Sequence, residues 1–310
     1  PVLTYSGSIG INRVTKKMQM MDPYEFIKFN LERFPSVTIP IYFPNLPAGT
    51  DPDPADYKNV KGIDWQDQVF QDGMTQIHNL SLSGGTKDTK YALSGSIYDQ
   101  DGIVIYSKFK RYQGRFSLDQ NINSKLTAGV NVNYSKSTAS GTLPADGLFS
   151  GSGTSSLFFS VWGYRPVAGL LPSDNAQLEE NLLDPTLNPG NDFRINPVIN
   201  LQNQIQDNFN SNLIGNAYFN YRITPNLSLR VQGGFNNRLI EKDYFYNSKT
   251  AIGVPRPGIT ALGVQGGITT YQNSIWSNEN TLSYKKRILE HHDIEVLGGL
   301  SFQQIDTKNI

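Results

Sequence analysis

Apolar and polar residues alternate with period two through much of this 310-residue chain, the spacing that sends successive side chains to opposite faces of a β-strand. In the first such segment Leu3, Tyr5, Ile9 and Ile11 share one face with Gly7, and Thr4, Ser6, Ser8 and Gly10 share the other. The pattern returns with His78, Leu80 and Leu82 against Asn79, Ser81 and Ser83, then with Tyr91, Leu93 and Ile97 against Lys90, Ser94 and Ser96. Tyr112, Phe116 and Leu118 oppose Gln113, Arg115, Ser117 and Asp119. Leu126, Ala128, Val130, Val132 and Tyr134 oppose Thr127, Asn131, Asn133 and Ser135. Further runs from Phe209 to Tyr221 and from Leu227 to Phe235, and two more near 272–284 and 292–304, bring the expectation to roughly nine strands of about ten residues or more.

The connections between these strands differ in length. Gly84 to Asp88, Asn121 to Lys125 and Thr224 to Asn226 are short polar turns rich in Gly, Asn and Pro. The segments 12–75, 100–108, 137–206 and 238–270 are mostly long. Short turns at one end and long loops at the other predict an up-and-down antiparallel barrel of the outer-membrane kind. Inside the first long loop, Asp22-Pro23-Tyr24-Glu25 carries an N-cap acid, a proline at the first helical position and a glutamate placed to close a capping box. Asp64-Trp65-Gln66-Asp67 opens a second, shorter helix in the same way, and a third is expected near Ser155 to Trp162. The prolines between Pro35 and Asp56 argue for irregular chain there, neither helix nor central strand.

Composition sharpens the choice of solvent. Only 17% of residues are charged, against about 25% in a typical soluble domain, and the polar faces carry Asn, Ser, Thr, Gln and Gly in place of Lys and Glu. That suits a wet lumen better than the open face of a soluble sandwich, and strands of about 9–11 residues match a tilted bilayer crossing. Lipid-facing backbone must be fully paired, so nine strands with two free edges are expected to be completed by residues beyond Ile310, by another chain or by further copies. The rival reading is a secreted, soluble β-rich glycan-binding or adhesion protein.

Other classes fall away on composition and motifs. Lys plus Arg and Asp plus Glu number 27 each, so no basic footprint calls for nucleic acid. With no cysteine, disulfide frameworks and thiolate sites are excluded. No run of about 18 apolar residues forms a spanning helix, and a basic-then-apolar export signal is expected to lie upstream or to have been removed. There is no Gly-x-Ser-x-Gly elbow, phosphate loop, His-Glu-x-x-His or dinucleotide fingerprint, so no enzyme, no catalytic residue and no cofactor is expected. Asp51, Asp53 and Asp56 lack a calcium-loop pattern and read as an acidic loop. Adjacent His291 and His292 would point to opposite faces of a strand, which does not make a metal site.

Several stretches resemble a known family. Asp64 to Phe70, His78 to Thr86 and Tyr91 to Val104 are similar to the SusC-type TonB-dependent transporters of Bacteroidota outer membranes. Phe109 to Tyr112 with Leu118 to Gln120, Leu126 to Tyr134, Asn278 to Tyr284, His292-Asp293 and Gly298 to Ser301 extend the resemblance. It implies that residues 1–310 are the early strands of a barrel of about 22 strands, with the plug domain and the later strands outside this stretch. It also implies import of a bulky glycan or oligopeptide across the outer membrane, beneath a SusD-type surface lipoprotein lid and energised by the TonB complex acting on the plug. The surroundings would be the remaining barrel strands, the lipid bilayer and lipopolysaccharide. On this alignment the long loops face outward, and Tyr42, Trp65, Trp162 and Tyr164 are candidates for stacking on substrate or partner, with Arg165 as a polar clamp. Packing within the loops or a place in the interfacial aromatic girdle would account for the same residues.

Overall fold

The computed structural model describes residues 1–142, 157–182, 195–255, 263–288 and 292–310. Nine strands form one antiparallel sheet in strict sequence order. They are β1 (Val2–Asn12), β2 (Gly73–Gly85), β3 (Thr89–Asp101), β4 (Lys108–Asn121), β5 (Leu126–Ser140), β6 (Gln204–Thr224), β7 (Leu227–Tyr246), β8 (Gln265–Ile288) and β9 (His292–Asn309). Each strand pairs only with its sequence neighbours, so β1 and β9 are the two edges.

The register converts the alternation into two continuous surfaces. One row across the sheet runs Leu3, Leu82, Leu93, Phe116, Val132, Gly215, Phe235, Trp276 and Gln304, apolar until its last member. A row on the opposite face runs Ser6, Asn79, Ser96, Gln113, Ser135, Asn212, Arg238, Asn273 and Thr307, polar throughout. All described strands belong to this one sheet, so no second sheet covers the apolar face, and Ile9 is 71% exposed and Leu93 51%. A water-facing protein does not leave so large a contiguous apolar surface bare. The sheet is a wall with one apolar and one polar side.

The buried side chains lie elsewhere, in the long loops. α1 (Pro23–Arg33), α2 (Pro35–Tyr42) and α3 (Trp65–Val69) belong to the connection between β1 and β2. α4 (Leu157–Gly163), α5 (Pro172–Glu180) and α6 (Pro197–Gln202) belong to that between β5 and β6. Two small cores result. Trp65, Val69, Val104, Leu157, Val161, Tyr164, Leu178 and Leu201 form one, and Ile27, Tyr42, Phe43, Tyr57 and Val167 the other. Both join the first long loop to the third, so loops remote in sequence make one assembly at the long-loop end of the sheet.

The capping signals act as read. Asp22 Oδ1 accepts from the Glu25 amide at 2.8 Å, and Glu25 Oε2 accepts from the Asp22 amide at 3.1 Å. Asp64 Oδ1 accepts from the Gln66 amide at 2.9 Å to open α3. The proline-rich stretch departs from expectation, because it contains α2 and a 3₁₀ turn at Pro54–Tyr57. Pro35 stands at the first helical position, where an N–H would have had no partner, and in a helix of eight residues Pro40 removes only one bond. Asp53 Oδ1, accepting from the Ala55 amide at 2.8 Å, caps the second piece. α5 and α6 were not foreseen. The last strands are longer than about ten residues: β6, β7 and β8 have 21, 20 and 24, so the chain between β7 and β8 is only 247–264 instead of 238–270. Leu239-Ile240 breaks the alternation, yet Arg238–Tyr246 stays in register with β6. His291 and residues 155 and 156 lie outside the described residues, whereas His292 opens β9.

Candidate functional site

A concavity of about 850 Å³ in the loop assembly opens between α1, α2, the strap 18–21 and the segment after α4. All five residues singled out from sequence line it, although they sit in two different loops, Tyr42 and Trp65 in the first and Trp162, Tyr164 and Arg165 in the third. Tyr42, Trp65, Tyr164 and Arg165 are buried and form its floor, whereas Trp162 is 40% exposed at the rim.

The floor is tied together by polar contacts whose donors and acceptors would otherwise be stranded. The Trp65 indole Nε1 donates to the Arg165 carbonyl at 3.0 Å, and the Trp65 and Tyr164 rings meet edge to face with centroids 5.1 Å apart. Arg165 Nη1 donates to the Tyr42 hydroxyl at 3.0 Å, with its guanidinium carbon 5.6 Å from the centre of the Tyr42 ring. Beneath them the Tyr57 hydroxyl donates to the Tyr42 carbonyl at 2.8 Å. Burial, more than the nearby Tyr42, pushes the Tyr57 phenol above the ordinary tyrosine range, so it stays protonated and keeps that bond. The Ile63 amide donates to the Pro166 carbonyl at 2.8 Å, and Asn175 bridges the Ala168 amide and the Lys61 carbonyl at 2.9 Å each.

The rim is apolar and largely exposed. Met18, Met20 and Met21 come from the strap, Phe29 from α1, and Phe34 and Val37 from the junction with α2. The strap is held by the buried Gln66, whose Oε1 accepts from the Met18 amide and whose Nε2 donates to the Met18 carbonyl, both at 2.9 Å. Lys17 pairs with Asp67 alongside. Trp162 stacks on Phe158 with centroids 4.6 Å apart and planes 7° from parallel.

Sequence reading overlooked the methionines and phenylalanines of this rim. A usable signal was present, since three of the four methionines fall within four residues, and methionine's flexible thioether adapts to irregular apolar partners. The arrangement is suited to binding: a rigid aromatic floor with one guanidinium, edged by soft apolar side chains. Its one carboxylate, Asp64, is engaged as the cap of α3. Among the described residues no group of three or more His, Cys, Asp or Glu side chains is placed to hold a metal ion.

With two-faced strands, sequential pairing and a loop assembly at one end, the chain has the architecture of part of a large up-and-down β-barrel wall. No protein-family model matches it. It is 27% identical over 306 residues to TonB-dependent receptor P26 of Formosa agariphila, covering 94% of this chain and 26% of that protein. It is 26% identical over 140 residues to the TonB-dependent receptor SusC of Bacteroides thetaiotaomicron, covering 42% of this chain and 12% of SusC. The structure of the RagAB peptide transporter superposes with a TM-score of 0.67 at 20% identity, over 98% of this chain and 35% of that one. The chain thus spans about a quarter of the length of P26. The resemblance to SusC-type TonB-dependent transporters carried by the sequence motifs is borne out by these likenesses, and the fold is that of their barrel wall.

Proposed function

We propose that these residues are the early wall of an outer-membrane importer that takes up a bulky nutrient, a glycan or an oligopeptide, with energy delivered by the TonB complex through a plug domain. The observation that carries this reading is the split of the sheet into one apolar and one uncharged-polar surface, with every long loop at the same end. On this reading residues 1–310 are one portion of a barrel domain, the loops 13–72, 141–203 and 247–264 face outward, and the polar face lines the lumen. The TonB-dependent receptors among the relatives support import, and the peptide transporter among the similar folds is consistent with an oligopeptide cargo.

The cavity between the first and third loops is the place where cargo or a SusD-type lipoprotein lid is met. Its rim of Met18, Met20, Met21, Phe29, Phe34 and Trp162 offers apolar surface to such a partner, while the floor of Tyr42, Trp65, Tyr164 and Arg165 holds the rim in shape. The work is capture and gated passage, without covalent chemistry.

The test is to extract the whole protein carrying this chain from the outer-membrane fraction in detergent, measure its intact mass and identify what co-purifies. Expected are a mass far above 34.5 kDa and a bound surface lipoprotein, with the lipoprotein reduced when Phe34→Asp and Met20→Asp are combined. A protein that is recovered soluble, without lipid or partner, overturns the reading and favours a secreted binding protein.

A further inference from the structure

The apolar face of the sheet is not smooth. Gly95 and Gly114 are direct partners across β3 and β4, in a row that continues to Leu80 on one side and Tyr134 on the other. Where these two side chains are missing the surface sinks into a trough of about 700 Å³, walled by Leu3, Leu80, Leu93, Ile97, Tyr112 and Tyr134. Neither glycine is demanded by the backbone. A Cβ on Gly114 would meet nothing within 4 Å, and one on Gly95 only the Gln113 carbonyl at 3.8 Å. What the pair supplies is the hollow itself.

Two residues nearer the long-loop end, on the same face, stands a charged cluster. Asp99 is the cross-strand partner of Lys110, and Asp101 that of Lys108. Lys110 Nζ lies 3.1 Å from Asp99, and Lys108 Nζ lies 3.0 Å from Asp101 and 3.4 Å from Asp99. Lys136 is the partner of Tyr112, at the upper margin of the trough, and is exposed. In these rows of β2 to β5 three ammonium groups therefore face two carboxylates. The whole has the shape of an amphiphile: an acyl-sized hollow that ends in a cationic patch.

We infer that this is a lipopolysaccharide site, with an acyl chain in the trough and a phosphate of the head group on Lys110 and Lys136. The inference rests on the barrel reading above, which turns the apolar face to lipid and the long-loop end to the outer leaflet. Acyl chains are the apolar matter available to fill a lipid-facing hollow, and basic residues at the bilayer surface select phosphorylated head groups. Asp99 and Asp101 hold the Lys108 and Lys110 ammonium groups in one cluster beyond the trough, and Lys136 supplies the excess positive charge.

The experiment uses the whole protein from the outer membrane, stripped in detergent and then given either phosphorylated lipid A or the same lipid A with its phosphates removed, with bound copies counted by native mass spectrometry. The pair Gly95→Leu and Gly114→Leu fills the trough, and the pair Lys110→Gln and Lys136→Gln removes the head-group contacts without touching it. Retention of phosphorylated lipid A is expected to fall about tenfold in the leucine pair, and the glutamine pair is expected to lose the preference for the phosphorylated form. Equal retention in wild type and both variants overturns the site, as does a protein dimer that the leucine pair dissociates. Should the leucine pair fail to assemble, the glutamine pair alone decides. Wild-type protein absent from the outer membrane would instead refute the barrel reading, so the two failures are distinguishable.

Discussion

Arg165 reaches across 123 residues of chain to donate a 3.0 Å hydrogen bond to the Tyr42 hydroxyl, and this contact joins the two long loops that enclose the cavity. The backbone carbonyl of each partner is also used, that of Arg165 by Trp65 and that of Tyr42 by Tyr57. The pair is therefore the meeting point of α2, α3, the 3₁₀ turn and the segment after α4. Tyr42→Phe removes the hydroxyl that accepts from Arg165 and donates to the Val167 carbonyl at 3.4 Å, and is expected to cost about 1–2 kcal/mol. Arg165→Met also removes a charged donor and is expected to cost roughly 2–3 kcal/mol. Hydrogen exchange of the α1–α2 amides in the whole protein measures both, and a double variant no worse than Arg165→Met alone confirms that they act as a unit.

The methionine strap depends on one side chain. Gln66→Leu keeps the volume but strands the Met18 amide and carbonyl, for an expected loss of about 1–3 kcal/mol local to the strap. Faster proteolysis at Met18 to Met21, with the barrel still assembled, is the predicted result. An unchanged cleavage rate would mean that the ion pair of Lys17 with Asp67 suffices.

Alkaline pH should loosen the same assembly. The folded state raises the Tyr57 phenol above its ordinary value of 10.0, so the stability tied to its protonation is complete below about pH 10 and declines as pH rises beyond it. Tyr57→Phe loses the bond to the Tyr42 carbonyl at neutral pH and removes this part of the alkaline decline. Proteolysis of the loops followed from neutral to alkaline pH in both proteins checks the sign.

The two faces of the wall should differ sharply in tolerance of charge. Val132 and Asn133 are neighbours on β5 that point to opposite sides. On the proposed barrel reading, Val132→Arg places a guanidinium toward lipid and is expected to cost about 2–4 kcal/mol, whereas Asn133→Arg, beside Arg115 on the polar face, should alter passage more than assembly. The amount of heat-modifiable barrel in outer membranes reads the difference.

Much of the wall was legible because period-two alternation and turn chemistry are local signals. Leu126 to Tyr134 reads as a strand with two characters without reference to anything else, and Asp22 with Glu25 announces α1. Less could be read from the loops, where structure is decided by contacts distant in sequence. α2 forms despite Pro35 and Pro40, and packs its Tyr42 under Arg165. Trp65, a candidate stacking residue by sequence, is buried in the floor of the cavity whose rim carries exposed Met and Phe side chains. Tyr42, Trp65, Trp162, Tyr164 and Arg165 stand out in the sequence only as aromatic or cationic loop residues, and both their meeting in one cavity and their division into floor and rim required the fold.

The most direct measurement takes advantage of a chain that contributes no cysteine of its own. Single cysteines at Phe116 and Val132, and at Arg115 and Asn133, are spin-labelled in the whole protein in native outer membrane, and collision with oxygen is compared with collision with a water-soluble nickel chelate. Labels at 116 and 132 should favour oxygen and exclude the chelate, and labels at 115 and 133 should admit the chelate. Chelate access to all four positions would contradict a lipid-facing wall.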